Sequence, residues 1–197
     1  MPKLFTLLTI LLISQTSLAQ KDFYAESIKA YQKKYVDSHE VVKKNDKKYF
    51  RFFPVSRTYN VACSFETISD TIGFTMKTSA NTLKQYFKYG KLSFTIAGKE
   101  FRLFVYQSKD LMNTERYKDY LFVPFTDLTS GDKSYGSGRY LEFYKQDIRN
   151  NRLQLDFNKA YNPYCAYSPG YKCPIPPKEN ALPVAVKAGE MNFAKPH

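Results

Sequence analysis

The spacing of apolar residues changes along the chain and predicts different elements in its successive parts. Residues 4–13 form a short, almost wholly apolar run. Between Asp22 and about Val42, the residues Ile28, Tyr31 and Tyr35 recur at intervals of three and four, as on one face of an amphipathic helix. We therefore expect one helix here, capped by Asp22, with that apolar stripe packed against a sheet.

Beyond residue 58 the apolar period falls to two, which is typical of strands. Short alternating stretches are separated by turn residues at regular intervals, as in an antiparallel sandwich or barrel. Two of the predicted turns lie at residues 89–91 and 97–99. The predicted strands cover residues 59–65, 72–76, 84–87, 92–96, 101–105, 120–125, 139–145, 153–157 and 182–187.

These patterns predict a mainly β fold with one domain. We expect an antiparallel sandwich or barrel-like sheet, preceded by an N-terminal helix and carrying a long proline-rich C-terminal loop over residues 158–180. The predicted segments are a signal peptide over 1–19, the helix and a linker over 20–48, and the β-rich domain over 49–197. No internal repeat is visible in the sequence.

The first residues have the pattern of a secretory signal peptide. Lys3 precedes the apolar run, and Ser17-Leu18-Ala19 supplies the small residues of a cleavage site. The run is too short for an ordinary membrane span, which needs roughly 20 apolar residues. We expect cleavage after Ala19 and export to the periplasm or the exterior, and we expect no transmembrane segment after signal removal. An uncleaved anchor helix is the alternative.

The composition limits the classes of partner. The formal net charge is +12, but lysines alternate with acidic residues over 21–48, so the predicted surface has mixed signs and no continuous basic stripe. We therefore expect no nucleic-acid partner. Seventeen tyrosines and sixteen phenylalanines favour strands, and tyrosines can also line a ligand pocket.

The cysteines and histidines predict a disulfide and no metal site. Cys165 and Cys173 lie close together in the proline-rich loop and, in an exported protein, are expected to form a disulfide. Cys63 lies in an alternating stretch and is expected to be a buried free thiol. His39, placed by the pattern in a charged helix, and the C-terminal His197 lie in no ligand-spaced cluster, so we expect neither metal nor cofactor.

Several motifs of the second half occur in a recognisable order. They are LFVPFTDLTSG at 121–131, GRYL at 138–141, DFNKAYNPYCAY at 156–167, CPIPPKEN at 173–180 and AGE at 188–190. The series resembles the family catalogued as domain of unknown function 1684, a group of uncharacterised bacterial proteins. The resemblance extends over roughly Tyr49 to Glu190, and Glu142 stands where it leads us to expect aspartate. It implies a shared fold and shared motifs, but no reaction.

Polar residues of this segment lie at predicted strand ends or in the loops that leave them, where binding groups are commonly found. An arginine there offers a planar pair of donors to a carboxylate, phosphate or sulfate, and tyrosine or asparagine can orient such a ligand. The ligand-binding candidates are Asp127, Tyr135, Arg139, Asp156, Asn158, Tyr161 and Asn162.

Arg139 is the residue on which the functional hypothesis depends. Alternation along its predicted strand places Arg139, Leu141 and Phe143 on one face. If that face is the core, the guanidinium lies partly buried at its rim and needs a partner. The partner is either a protein carboxylate, Asp127 or Asp156, or a ligand anion.

The sequence is compatible with three functions. The leading hypothesis is an exported binding or structural domain with a pocket for a small anionic or polar ligand. The second is a hydrolase-type enzyme that uses Asp127 or Asp156 as acid or base, with Asp132 and Glu142 also available. The third is a module that binds another envelope protein through an exposed strand edge.

Overall fold

The computed structural model describes residues 23–196, so the predicted signal peptide, the Asp22 cap and His197 lie outside the described residues. The chain divides into two compact units, the first ending at Ser38 and the second beginning at His39. Among the described helices, none is both long and apolar enough to cross a membrane.

Helix α1 covers residues 23–38 and ends four residues before the predicted Val42. The His39 side chain explains the early end. Its Nδ1 accepts a hydrogen bond from the Val42 N–H at 3.1 Å, and in a continued helix that N–H would donate to the Ser38 carbonyl. His39 therefore follows the helix, and its prediction as a helical residue was wrong.

The predicted apolar stripe of α1 is correct only in part. Ile28 is buried, but Tyr31 is 37% exposed, and the second buried position is Gln32. Ile28 and Gln32 are four residues apart and lie on one face of the helix. Tyr31 directly precedes Gln32, so its side chain points in a different direction around the helix axis.

Seven antiparallel strands form a curled half-barrel sheet, which confirms the mainly β prediction. The strand order is β6-β5-β4-β3-β1-β7, and β2 pairs with β3. The strands are β1 Asn60–Thr67, β2 Phe74–Lys77, β3 Leu83–Ile96, β4 Lys99–Ser108, β5 Tyr120–Phe125, β6 Arg139–Tyr144 and β7 Arg152–Asp156. A short helix, α2 Lys109–Met112, follows β4.

The predicted alternation decides which side chains enter the core. In β1, Val61, Cys63 and Phe65 are buried while Ala62, Ser64 and Glu66 are exposed. Cys63 is a buried free thiol as predicted, and burial raises its pKa to about 12. The main core lies on this side of the sheet and includes Leu92, Phe94, Leu103, Val105, Leu121, Val123, Phe125, Leu141, Leu155 and Phe157.

One predicted turn is present and the other is not. Ala97 and Gly98 both have positive φ, at 49° and 77°, and join β3 to β4 in a tight hairpin. At residues 89–91, by contrast, β3 continues and only its register shifts between Lys88 and Gly90. A Cβ at Gly90 would lie 2.2 Å from Cζ of Phe65. The glycine therefore makes room for a core ring, and the turn prediction was wrong.

The predicted last strand, 182–187, is also wrong. This segment pairs with no strand, although Leu182 and Val186 are buried as an alternating pattern requires. Its backbone bonds the loop after β5, where the Leu182 N–H donates to the Thr126 carbonyl and the Val184 carbonyl accepts from the Leu128 N–H. Two further carbonyls accept from side chains: the Ala185 oxygen from the Tyr59 hydroxyl and the Val186 oxygen from Arg139. The apolar pattern therefore indicated burial correctly but not sheet pairing.

A second cluster covers part of the opposite side of the sheet. Tyr106 and Phe122 alternate with core residues of β4 and β5, so their rings point to the other face. We call this surface the tyrosine face. It consists of Met76, Tyr86, Tyr106, Phe122 and Tyr140, with Phe74, Phe104, Tyr120 and Tyr161 packed against them.

Candidate functional site

Arg139 begins β6 and lies on the core side of the sheet, fully buried rather than at a rim. Its Nη2 lies 2.6 Å from Oδ2 of Asp127, and neither side chain is exposed. The guanidinium also donates to the carbonyl oxygens of Val186, Ala188 and Glu190. Of the two partners considered for this arginine, the structure has the protein carboxylate.

The pair Asp127–Arg139 joins a loop to the C-terminal segment. Asp127 Oδ1 accepts from both the N–H and the hydroxyl of Thr129, which orders the loop after β5. Burial lowers the pKa of the Arg139 guanidinium, and the charges of Asp127 and Glu190 oppose that effect. Glu190 is itself fully buried and accepts from the Tyr167 hydroxyl at 2.7 Å. This network holds loops in place.

The other predicted candidates lie at separate places. Asn158 binds the backbone of Ser56 through both ends of its amide, and its own N–H donates to Asp156. Asn162 donates to the Met191 carbonyl. Tyr135 lies partly buried in the loop before β6. The structure thus brings together Asp127 with Arg139 and Asp156 with Asn158, but it does not gather the seven residues into one site. A ligand-binding role for them stays a prediction.

The disulfide Cys165–Cys173 is confirmed. It closes a loop that docks on the turn after β2: Ser79 N–H donates to the Cys173 carbonyl at 2.9 Å, and Ile175 N–H donates to the Lys77 carbonyl at 2.8 Å. The Tyr140 hydroxyl donates to the Pro174 carbonyl beside it. The proline-rich loop is therefore attached to the edge of the tyrosine face.

Replacing Cys165 with serine is expected to lower stability by about 2.5 kcal/mol under oxidising conditions only, the chain-entropy value for so short a loop. Thermal melting with and without reductant measures the effect. Cys63→Ala is the matched control, because its cost should be the same in both conditions. Equal melting of Cys165→Ser and the wild type without reductant would contradict the prediction.

His39 lies in an aromatic environment. Its ring contacts Phe50, Tyr164 and Tyr167 at centroid distances of 5.1, 5.5 and 4.6 Å. Burial, with a smaller effect of Lys47, lowers its pKa from 6.5 to about 4. The neutral ring also fits its geometry, since Nδ1 accepts a backbone hydrogen bond that a protonated ring would lose.

The lowered pKa of His39 predicts a loss of stability in acid. Between pH 6.5 and about 4 the unfolded chain binds a proton that the folded one does not, so stability falls as the pH falls through that window. The expected loss is roughly 1–3 kcal/mol. It is measured by comparing the unfolding free energies of the wild type and His39→Phe at each pH across this window. A pH-independent difference would refute it.

Glu142 is the centre of a different arrangement. It alternates with Leu141 and Phe143 along β6, so its exposed side chain stands on the side of the tyrosine face. Its Oε2 accepts from the hydroxyls of Tyr120, at 2.6 Å, and Tyr161, at 2.8 Å. Burial, together with the charge of Glu142, raises the pKa of each of the two tyrosines well above the usual value for a phenol. Both hydroxyls therefore keep their protons and can donate them to Glu142.

The two tyrosines that bind this carboxylate also pack against other aromatic rings. The Tyr120 ring lies 6.0 Å from that of Tyr117 and 6.1 Å from that of Tyr144, and the Tyr161 ring lies 5.8 Å from that of Tyr140. Within the described residues, Oε1 of Glu142 accepts no hydrogen bond and the carboxylate forms no ion pair. An accessible charge is thus held in a fixed position by two protonated phenols.

Of these residues, only Tyr161 was a predicted binding candidate. The sequence singled out Glu142 only as one of four available carboxylates and as the position where the family resemblance leads us to expect aspartate, and it placed Tyr120 in a predicted strand without a binding role. Alternation along β6, which places Tyr140, Glu142 and Tyr144 on one face, was the available signal. The sequence could not identify the two hydroxyls that bind Glu142, because Tyr120 lies on β5 and Tyr161 in the loop after β7.

A comparison with known protein families identifies the family of this chain. The protein family of unknown function DUF1684 matches residues 47–191. The chain belongs to this family. The match confirms the resemblance seen in the sequence. The DUF1684 segment includes the Asp127–Arg139 pair, the disulfide and Glu142 with both of its tyrosine partners.

Among solved structures, the DUF1684 chain is similar to an uncharacterised protein of Haloarcula marismortui determined by solution NMR. The two share 28% sequence identity with a TM-score of 0.64, over 88% of this chain and 96% of the other. No curated protein matches the chain. The similarity therefore supports the DUF1684 fold and brings no activity with it.

Proposed function

We propose that the protein is an exported domain that binds a small polar ligand on the tyrosine face, with Glu142 at the centre of the site. The observation that carries the proposal is the fixed Glu142 carboxylate, which accepts from Tyr120 and Tyr161 through one oxygen and leaves the other open. Convergent polar groups within aromatic walls are what small-ligand sites generally contain.

Preorganisation distinguishes Glu142 from an ordinary surface carboxylate. A free glutamate side chain loses rotamer entropy when a ligand orders it, and that loss weakens binding. Here two hydrogen bonds from packed tyrosines have already ordered it. A ligand that meets Oε1 therefore gains its interaction at a smaller entropic cost.

The supports for export are the signal pattern of the first residues and the disulfide, since disulfides persist mainly in oxidising compartments. Mass spectrometry of the protein released from the periplasm should find a chain that begins at Gln20. Recovery of the intact chain in the cytoplasm would count against export.

The geometry gives less support to a site at Arg139 and to hydrolysis. A ligand anion would have to displace Asp127, whose side chain is completely buried beside the guanidinium. The same burial separates Asp127 from substrate and water. Asp156 Oδ1 accepts from both the N–H and the amide side chain of Asn158, so it orders the turn after β7.

The test is a titration of tyrosine-labelled protein, followed by NMR, with water-soluble fragments that carry amine, hydroxyl, amide or carboxylate groups. We expect some fragments to shift the Tyr120 and Tyr161 ring signals, and Glu142→Gln to weaken their binding about 10–100-fold, as for loss of a charged hydrogen bond. Tyr49→Phe, which removes a hydroxyl outside the tyrosine face, should bind as the wild type does. If no fragment shifts these two tyrosines, the proposal fails.

A further inference from the structure

A second carboxylate on the tyrosine face already holds a cation. Glu179 Oε1 accepts from the Tyr106 hydroxyl at 2.7 Å, and its Oε2 lies 2.9 Å from the Lys88 ammonium. The ammonium also stands over the Phe104 ring, 4.6 Å from its centroid. One carboxylate oxygen thus binds a tyrosine, the other binds a primary ammonium, and an aromatic ring covers the charge.

Glu142 repeats the first half of this arrangement. Its Oε2 binds two tyrosine hydroxyls, and the ring of one of them, Tyr120, packs against the Tyr144 ring. The second half is missing: within the described part of the chain no lysine or arginine pairs with Glu142, although the protein has 30 of these residues. Seven ion pairs are formed among the described residues, the Lys88–Glu179 pair included. The position that Lys88 occupies at Glu179 is open to solvent at Glu142.

The hydrogen-bonding groups at Glu142 also select the sign of the ligand. The two phenol protons are directed to Oε2, so they are not available as donors to a ligand. What remains for a ligand is an acceptor and ring faces: Oε1 of Glu142 and the negative faces of the tyrosine rings. Such a surface attracts a group that is rich in N–H donors and positively charged.

We infer that the Glu142 site binds a primary alkylammonium group. This inference rests on the proposed function and names its ligand class. The ammonium donates to Oε1 of Glu142 and lies against the rings of Tyr120 and Tyr144, as Lys88 donates to Glu179 and lies against Phe104. This ligand is a cation, whereas the hypothesis based on Arg139 led us to expect an anion.

Butylammonium and 1-butanol are the probes, because they have similar length and differ in charge. They are titrated at pH 7 into the labelled protein, and the Tyr120 and Tyr161 ring signals are followed. We expect butylammonium to bind at least about tenfold more tightly than 1-butanol, since charged hydrogen bonds and cation–π contacts are each worth about 1 kcal/mol or more. In Glu142→Gln the preference should disappear, whereas in Glu66→Gln, which removes an exposed carboxylate of β1, it should remain.

Tetramethylammonium tests whether the N–H donors matter. It has the charge but cannot donate to Oε1, so it is expected to bind more weakly than butylammonium. Equal or tighter binding of tetramethylammonium overturns the primary-ammonium assignment. Equal binding of 1-butanol and butylammonium at these tyrosines overturns the cationic assignment and leaves the proposed polar-ligand site standing. Absence of any shift, with these probes and with the fragment panel, overturns both.

Discussion

Replacing Arg139 with methionine is expected to lower the free energy of unfolding by about 3–5 kcal/mol, the usual cost of removing one partner from a buried ion pair. Methionine fills similar space but leaves the Asp127 carboxylate buried without its countercharge. The carbonyl oxygens of Val186, Ala188 and Glu190 lose a shared donor at the same time. For a domain of this size the melting temperature should fall by roughly 6–20 °C.

Thermal unfolding followed by circular dichroism measures this change, and Arg102→Met is the matched control. Arg102 is an exposed arginine of β4, so its loss should change stability by about 0.5 kcal/mol or less. Melting temperatures of the two variants within about 2 °C of each other would show that the buried pair contributes far less than such pairs usually do.

Replacing Gly138 with alanine is expected to cost about 2–5 kcal/mol, the sum of left-handed backbone strain and crowding. Gly138 has a φ of 93°, and a Cβ there would lie 2.5 Å from the Phe125 carbonyl oxygen and 2.8 Å from Cγ of Pro176. The first contact is with backbone of β5, which cannot move without disturbing the β5–β6 pairing next to Arg139.

Gly131 provides the control for the Gly138 experiment. Its φ is 87°, close to that of Gly138, but a Cβ there would meet no atom within 4 Å. Gly131→Ala should therefore show the strain alone, about 1–2 kcal/mol, and chemical denaturation of both variants separates strain from crowding. Equal unfolding free energies for the two variants would mean that the backbone around Gly138 yields to the methyl group.

The strand prediction succeeded where a segment with alternating apolar residues also pairs with a neighbouring strand. In β1, Val61 and Cys63 are apolar because they face the core, and the same period of two defines an extended backbone. The segment 182–187 has a buried residue at each end of a similar apolar pattern, Leu182 and Val186, but it belongs to no strand. Its backbone bonds the loop after β5 and the side chains of Tyr59 and Arg139. These partners are distant in sequence, so no local pattern could distinguish the segment from a strand.

The candidate site was predictable to a similar degree. Alternation along β6 placed Arg139 and Glu142 on opposite faces, and the need of a buried guanidinium for a partner follows from desolvation alone. The identity of that partner depends on how the loop after β5 returns to β6. The hydroxyls that hold Glu142 come from β5 and from the loop after β7, so the site exists only once these elements are packed together.

The sequence by itself determined the strand periods, the hairpin at Ala97–Gly98, the buried thiol of Cys63, the disulfide and the family, because each follows from residues close together in the chain or from motifs in a fixed order. Only the tertiary structure decided that Gly90 accommodates the Phe65 ring, that Asp127 neutralises Arg139 and that two tyrosines hold Glu142. The physical reason is that the free space, the charge partners and the hydrogen-bond donors around a residue depend on which elements pack next to it.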